Sequence, residues 1–121
     1  MDKKILVVDD AMFMRSIIRK ILKEAGYTQV WEEQDGEKAM ELFREVSPDL
    51  VLLDITMPGR SGLEVLEEML GLVPNVRVIM CSAVGQEMMI QKALTIGASD
   101  FIVKPFKADE FSRIVNRCLE Q

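Results

Sequence analysis

Five short apolar runs alternate along the chain with longer segments whose apolar residues recur at helical spacing. The runs are residues 4–8, 29–33, 50–53, 76–80 and 101–103, each of strand length and all but the second rich in Val, Ile or Leu. Residues 50–53 are apolar on both faces, as a central parallel strand requires. The run 29–33 turns polar at its end, which predicts an edge strand. The first helix is expected over 12–25, where Met14, Ile17, Ile18, Ile21, Leu22 and Ala25 share a face, with Gly26 as its stop. Asp35 in the Asp35-Gly36 turn can cap a second helix over 37–46, whose buried stripe is Ala39, Met40, Phe43 and Val46. Ser47-Pro48-Asp49 ends it, because a residue before proline is pushed out of the helical region. Ser61 and Glu64 read as a capping box opening a third helix that runs to Leu72. The turn Pro74-Asn75 follows. A fourth helix spans 86–96 and is closed by Gly97. The fifth carries Phe111, Ile114, Val115, Cys118 and Leu119 at i, i+3, i+4, i+7 and i+8.

Strictly alternating βα units imply an α/β fold, a parallel sheet with helices on both faces. Right-handed crossovers leave few topologies, and the flavodoxin-like (βα)5 order 2-1-3-4-5 fits. In such sheets ligands bind outside the carboxyl ends of the strands, where strand order reverses. Here that point lies between strands one and three. No linker, repeat or low-complexity stretch interrupts residues 1–121, which read as one domain.

Composition narrows the chemistry. The net charge is -5, and no basic cluster exceeds the pairs Lys3-Lys4 and Arg19-Lys20, which argues against nucleic acid as a primary ligand. No apolar run approaches the ~18–20 residues that span a bilayer, and the four apolar residues after Lys4 are too few for a signal segment. A cytoplasmic protein without membrane attachment is expected. Cys81 and Cys118 sit inside apolar patterns and read as small buried hydrophobes of a reducing compartment. The 121 residues include no histidine, which removes His-based acid–base chemistry and His-ligated metals.

Two strands end in acid: Val7-Val8-Asp9-Asp10 and Leu52-Leu53-Asp54. Across the switch point Asp9, Asp10 and Asp54 would converge, and their repulsion calls for protonation or a cation. A hard divalent ion with oxygen ligands suits them, Mg2+ best, since it accepts one or two carboxylates plus water and substrate phosphate. A strand-end Asp can also attack phosphorus and become an aspartyl phosphate. Ser82 after strand four and Lys104 after strand five would supply a hydroxyl and an ammonium to the transferred group. Singly, each has a plainer reading: a turn or helix cap for an Asp or for Ser82, a solvated lysine for Lys104. Their placement at corresponding strand ends is what points to phosphoryl chemistry.

The chain resembles the receiver domain of two-component response regulators along its whole length. The matching pieces are Val7-Val8-Asp9-Asp10, Asp54-Ile55-Thr56-Met57-Pro58 with Gly62, Ser82-Ala83 and Lys104-Pro105-Phe106. Within that family it is most similar to the free-standing chemotaxis regulators, on Asp9-Asp10-Ala11-Met12-Phe13-Met14-Arg15, Cys81-Ser82-Ala83-Val84-Gly85-Gln86 and the segment from Gly97 to Phe106. The resemblance implies that Asp54 is the phosphoacceptor. It implies one Mg2+ per chain, replaceable by Mn2+, on Asp9, Asp10, Asp54 and the backbone carbonyl of Thr56. Lys104 would pair with the phosphoryl group, Ser82 would be the switch hydroxyl, Phe101 the switch aromatic, and the Lys104-Pro105 peptide would be cis. Ser82 stands where Thr is commoner, and Phe101 where Tyr is frequent, leaving packing as the only handle on the aromatic rotamer. The side chain of Thr56 is expected to face the site.

The implied partners are a histidine kinase of the chemotaxis type as donor and the flagellar motor switch as effector, with a phosphatase as a further partner and the chain itself monomeric. No DNA-binding segment follows helix five, which favours a free-standing regulator. The alternatives are a receiver of another phosphorelay or one cut from a longer regulator. A flavodoxin would need a hydroxyl- or glycine-rich phosphate loop where Asp9-Asp10 stand. A Mg2+-dependent aspartyl phosphatase or phosphotransferase would carry a cap for which 121 residues leave no room.

Helix four is more apolar than one buried face needs. Met89, Ala93 and Ile96 fit an inward stripe, while Ile90 and Leu94 are expected to one side of it, beside Phe101. That trio reads as a surface for a partner helix, although the same residues fit a broad stripe simply buried in the core.

Overall fold

The computed structural model describes residues 2–120. Five strands alternate with five helices: β1 (Lys4–Val8), α1 (Met12–Glu24), β2 (Gln29–Glu33), α2 (Gly36–Val46), β3 (Leu50–Asp54), α3 (Gly62–Leu72), β4 (Arg77–Ala83), α4 (Glu87–Ile96), β5 (Asp100–Lys104) and α5 (Ala108–Glu120). The sheet is parallel throughout, in the order β2-β1-β3-β4-β5. This is the expected flavodoxin-like architecture. β2 is an edge strand as its composition foretold, and β5 is the other edge.

Strand alternation divides the core into two layers. Leu6, Val8, Val51, Leu53, Val78 and Met80 face α2, α3 and α4, packing on Phe43, Leu66, Met69 and Ala93. Ile5, Val7, Leu50, Leu52, Ile79 and Ile102 face α1 and α5, packing on Ile18, Leu22, Phe111 and Val115. All five residues of β3 are buried, which anchors the centre of the sheet.

The ends of the elements correct several expectations. β3, β4 and β5 run further than their apolar residues, through Asp54, Ala83 and Lys104. The ladder continues past the last apolar side chain, pairing Asp54 with Cys81, Ser82 with Val103 and Ala83 with Lys104. The site residues are therefore held in strands, with less freedom than loop positions. α1 stops at Glu24. Gly26, at φ +97°, then gives the paired bonds Tyr27 N–H to Leu22 C=O (2.8 Å) and Gly26 N–H to Lys23 C=O (3.0 Å) that satisfy the last carbonyls. Asp35 caps α2 through Lys38 N–H at 2.9 Å. Ser61 caps α3 through Glu64 N–H, but the Glu64 carboxylate accepts from the Ser61 hydroxyl rather than its N–H, so the box is half formed. The Lys104-Pro105 peptide is cis.

Candidate functional site at the carboxyl ends of the strands

Asp9 leaves β1 with its N–H still donating to the Glu33 carbonyl at 3.1 Å. Its carboxylate is buried and doubly held: Oδ1 accepts from Ala11 N–H at 2.9 Å and Oδ2 from Lys104 Nζ at 2.7 Å. Its carbonyl accepts from the Arg15 guanidinium at 2.7 Å, and Glu32 on β2 steadies Arg15 at 3.4 Å. Asp10 beside it is exposed. Asp54 ends β3, with Oδ1 accepting from Thr56 N–H at 3.2 Å and Oδ2 lying 3.6 Å from Lys104 Nζ.

Gly62 sets how close α3 comes to this strand end. Its N–H donates to the Ile55 carbonyl at 2.8 Å. A Cβ at position 62 would fall 2.2 Å from the Asp54 carbonyl oxygen, so only glycine fits.

Asp9, Asp10 and Asp54 each present one oxygen such that all three lie within 4.8 Å of one another. Ionised, they outnumber the one ammonium at the site and leave two negative charges uncompensated. Burial, offset by the Lys104 charge and added to by the Asp9 and Asp10 charges, pushes the Asp54 carboxyl from 3.8 up to about 6. Burial pulls the Lys104 ammonium down, but the Asp9 hydrogen bond and the charges of Asp54 and Asp9 outweigh it, and its pKa ends raised. Lys104 is thus a permanent cation. Three hard oxygen donors around a residual double negative charge fit a small divalent cation such as Mg2+. Cys81, level with Asp54, is pushed by burial up to about 12 and is no nucleophile.

Asp9, Asp10, Asp54 and Lys104 therefore meet as expected. Ser82 makes no hydrogen bond to any of them. It is fully buried one register step beyond Asp54, on the sheet face of Met80 rather than that of Asp54, and among the described residues its hydroxyl is a buried side-chain polar atom without a partner. Such an orphan costs about 1–3 kcal/mol until an acceptor arrives. Thr56 is exposed, and its Oγ1 accepts from Gln86 Nε2 at 2.6 Å. Gln86 Oε1 in turn accepts from Ala83 N–H at 2.7 Å. Gln86 and Arg15 went unseen as site residues. In sequence one is a polar residue at a helix start and the other a basic residue within an amphipathic helix.

Met89, Ala93 and Ile96 of α4 turn toward the core as expected, and only the place of Ile90 needs correction. Ile90 is buried with Ala93 on the core stripe, while Met89 and Ile96 are only half-buried. Leu94 and Phe101 are exposed, by 38% and 37%. An apolar groove runs between α4 and β5, walled by Val84, Leu94, Phe101 and Val103 with Ile90 at its floor. Ile90 contributes depth to this surface, and Leu94 and Phe101 its accessible rim.

A family sequence profile described as response regulator receiver domain matches residues 5–116. The chain is 42% identical over 117 residues to "Chemotaxis protein CheY" of Thermotoga maritima, covering 97% of this chain and 98% of that protein. It is 51% identical over 106 residues to the protein of the same name from Listeria monocytogenes, covering 88% and 89%. Among solved structures it is similar to the receiver domain of NtrX from Brucella abortus, with TM-score 0.93 at 36% identity, covering 98% of this chain and 99% of that one. Against a longer NtrX chain the match covers 99% of this chain but 27% of the other, with TM-score 0.94.

Proposed function

The chain belongs to the response regulator receiver domain family, and from that premise we propose that residues 1–121 form one cytoplasmic, monomeric receiver that takes a phosphoryl group onto Asp54 and passes the signal on by binding. The convergence of Asp9, Asp10, Asp54 and Lys104 at the reversal point of the sheet carries this reading. The donor is the phosphohistidine of a histidine kinase of the chemotaxis type. An Asp54 carboxylate oxygen forms the new O–P bond as the N–P bond to the donor imidazole breaks, and the imidazole takes a proton as it leaves. In the metal-free site burial raises the Asp54 carboxyl to about 6, so it is ionised near neutral pH, as a nucleophile must be.

Mg2+, or Mn2+ in its place, held by Asp9, Asp10, Asp54 and the Thr56 carbonyl, supplies charge neutralisation at the phosphoryl oxygens when bound. Lys104, already between Asp9 and Asp54, pairs with a phosphoryl oxygen. Ser82 donates its free hydroxyl to another, which relieves its buried, unpartnered state. The pull on β4 changes the packing of Phe101 and thereby the α4–β5 groove. A preference of a few kcal/mol for the switched state is enough to move most of the population.

The effector is an apolar helix seated on Leu94, Phe101 and Ile90. The relatives carry chemotaxis in their names, and the effector we assign to that role is the flagellar motor switch. The likeness to the NtrX receiver keeps a second reading, a receiver of another relay or of a longer regulator. A phosphatase is a further partner. Incubation with Mg2+ and phosphoramidate, a small N–P donor, tests the central reading. One phosphoryl per chain, abolished by EDTA, is expected. Metal-independent labelling, or rapid multiple turnover as in an aspartyl phosphatase, overturns it.

A further inference from the structure

Past β4 the chain turns through Val84 and Gly85 into α4, and Gln86 stands at the N-cap position of that helix. Its side chain makes no capping bond. It folds back across the turn, where one amide group makes two bonds: Oε1 accepts from Ala83 N–H at 2.7 Å and Nε2 donates to Thr56 Oγ1 at 2.6 Å. Those partners belong to different strand ends. Thr56 is two residues past Asp54, and its N–H is on Asp54 Oδ1. Ala83 is bonded directly to Ser82, whose hydroxyl is buried and unpartnered. The amide of Gln86 therefore ties the segment after the acceptor carboxylate to the segment bearing the free hydroxyl.

From this geometry we infer that Gln86 is a latch on the β4–α4 turn, closed while Asp54 is unmodified and released when a phosphoryl group draws Ser82 toward the site. The inference rests on the phosphoryl reading of Asp54. A backbone shift that draws Ser82 to an acceptor carries the Ala83 peptide with it. Bonds of 2.6 and 2.7 Å can stretch by only several tenths of an ångström before they leave the usual range. Such a shift breaks or remakes them, so the latch raises the threshold for the switched state and lowers its population in the absence of phosphate. A cap with a merely structural role would affect the stability of α4 and leave the switching equilibrium alone.

The test titrates beryllofluoride, a phosphoryl mimic, into Mg2+-saturated wild type, Gln86→Ala, Thr56→Val and the double variant. A lost net hydrogen bond corresponds to roughly threefold to tenfold in an equilibrium. Thr56→Val, which removes one bond, is expected to bind the mimic about that much more tightly, Gln86→Ala, which removes both, at least that much more tightly, and the double variant no more tightly than Gln86→Ala, because both changes open one latch. Amide exchange of Ala83 in the ligand-free protein should quicken in Gln86→Ala. Unchanged or weaker mimic affinity in the variants, additive effects, or an Ala83 amide indifferent to Gln86 each overturn the latch. If wild type binds the mimic and the variants do not differ from it, the latch alone is wrong. If wild type binds none, the phosphoryl reading falls and the latch with it.

Discussion

Replacing Asp54 by Asn should stabilise the metal-free protein, and the size of the effect follows from the site. Asn keeps an acceptor for Thr56 N–H but carries no charge into a buried position beside Asp9 and Asp10. The carboxyl is raised from 3.8 to about 6 by burial first, with Asp9 and Asp10 adding to it and Lys104 opposing. A raised folded-state value means that the acid form favours folding. That stability is fully present below about pH 3.8 and is lost as pH rises through about 6. Roughly two units correspond to about 3 kcal/mol at most, and relaxation of the partly hydrated site reduces this to about 1–3 kcal/mol. For 121 residues, 1 kcal/mol moves Tm by about 4 °C. Thermal unfolding in EDTA at pH 8 should therefore place Asp54→Asn about 4–12 °C above wild type, and the gap should close toward pH 4. Saturating Mg2+ should raise wild type more than the variant, which has lost a ligand. A variant less stable than wild type at pH 8, or a gap independent of pH, would refute the electrostatic reasoning.

Ser82→Ala should stabilise the ligand-free protein by about 1 kcal/mol in urea unfolding, because the buried hydroxyl has no partner, yet bind beryllofluoride more weakly. A change of the same sign in both measurements would contradict the role given to that hydroxyl. Gly62→Ala should cost about 2 kcal/mol or more in denaturant unfolding, because its Cβ would meet the Asp54 carbonyl at 2.2 Å. Arg15→Ala frees the Asp9 carbonyl and should weaken Mg2+ binding about threefold to tenfold by calorimetry, with Asp54 still labelled at high Mg2+.

The fold was legible because short continuous apolar runs and period-3.6 patterns rarely conflict in this chain, and the acids were legible because they follow apolar runs. What escaped was set by geometry across segments. The strands looked too short because their last residues are polar, while pairing such as Asp54 with Cys81 depends on the neighbouring strand. Ile90 was misplaced because the apolar stripe of α4 is broad, and the sheet buries Ile90 together with Ala93 while Met89 and Ile96 pack at its margins. Glu64 was expected to reach the Ser61 N–H, but the hydroxyl offered a competing donor. Gln86 carried no signal, since a bond to Thr56 thirty residues earlier leaves no periodic trace.

The central claim is that one carboxylate, Asp54, accepts the phosphoryl group. The most direct measurement treats the protein with phosphoramidate and Mg2+, reduces the acyl phosphate with borohydride, which converts a phosphorylated aspartate to homoserine, and maps the peptides by mass spectrometry. The account predicts homoserine at position 54 in wild type and none in Asp54→Asn. Homoserine at position 9 or 10, or none at 54, would contradict it.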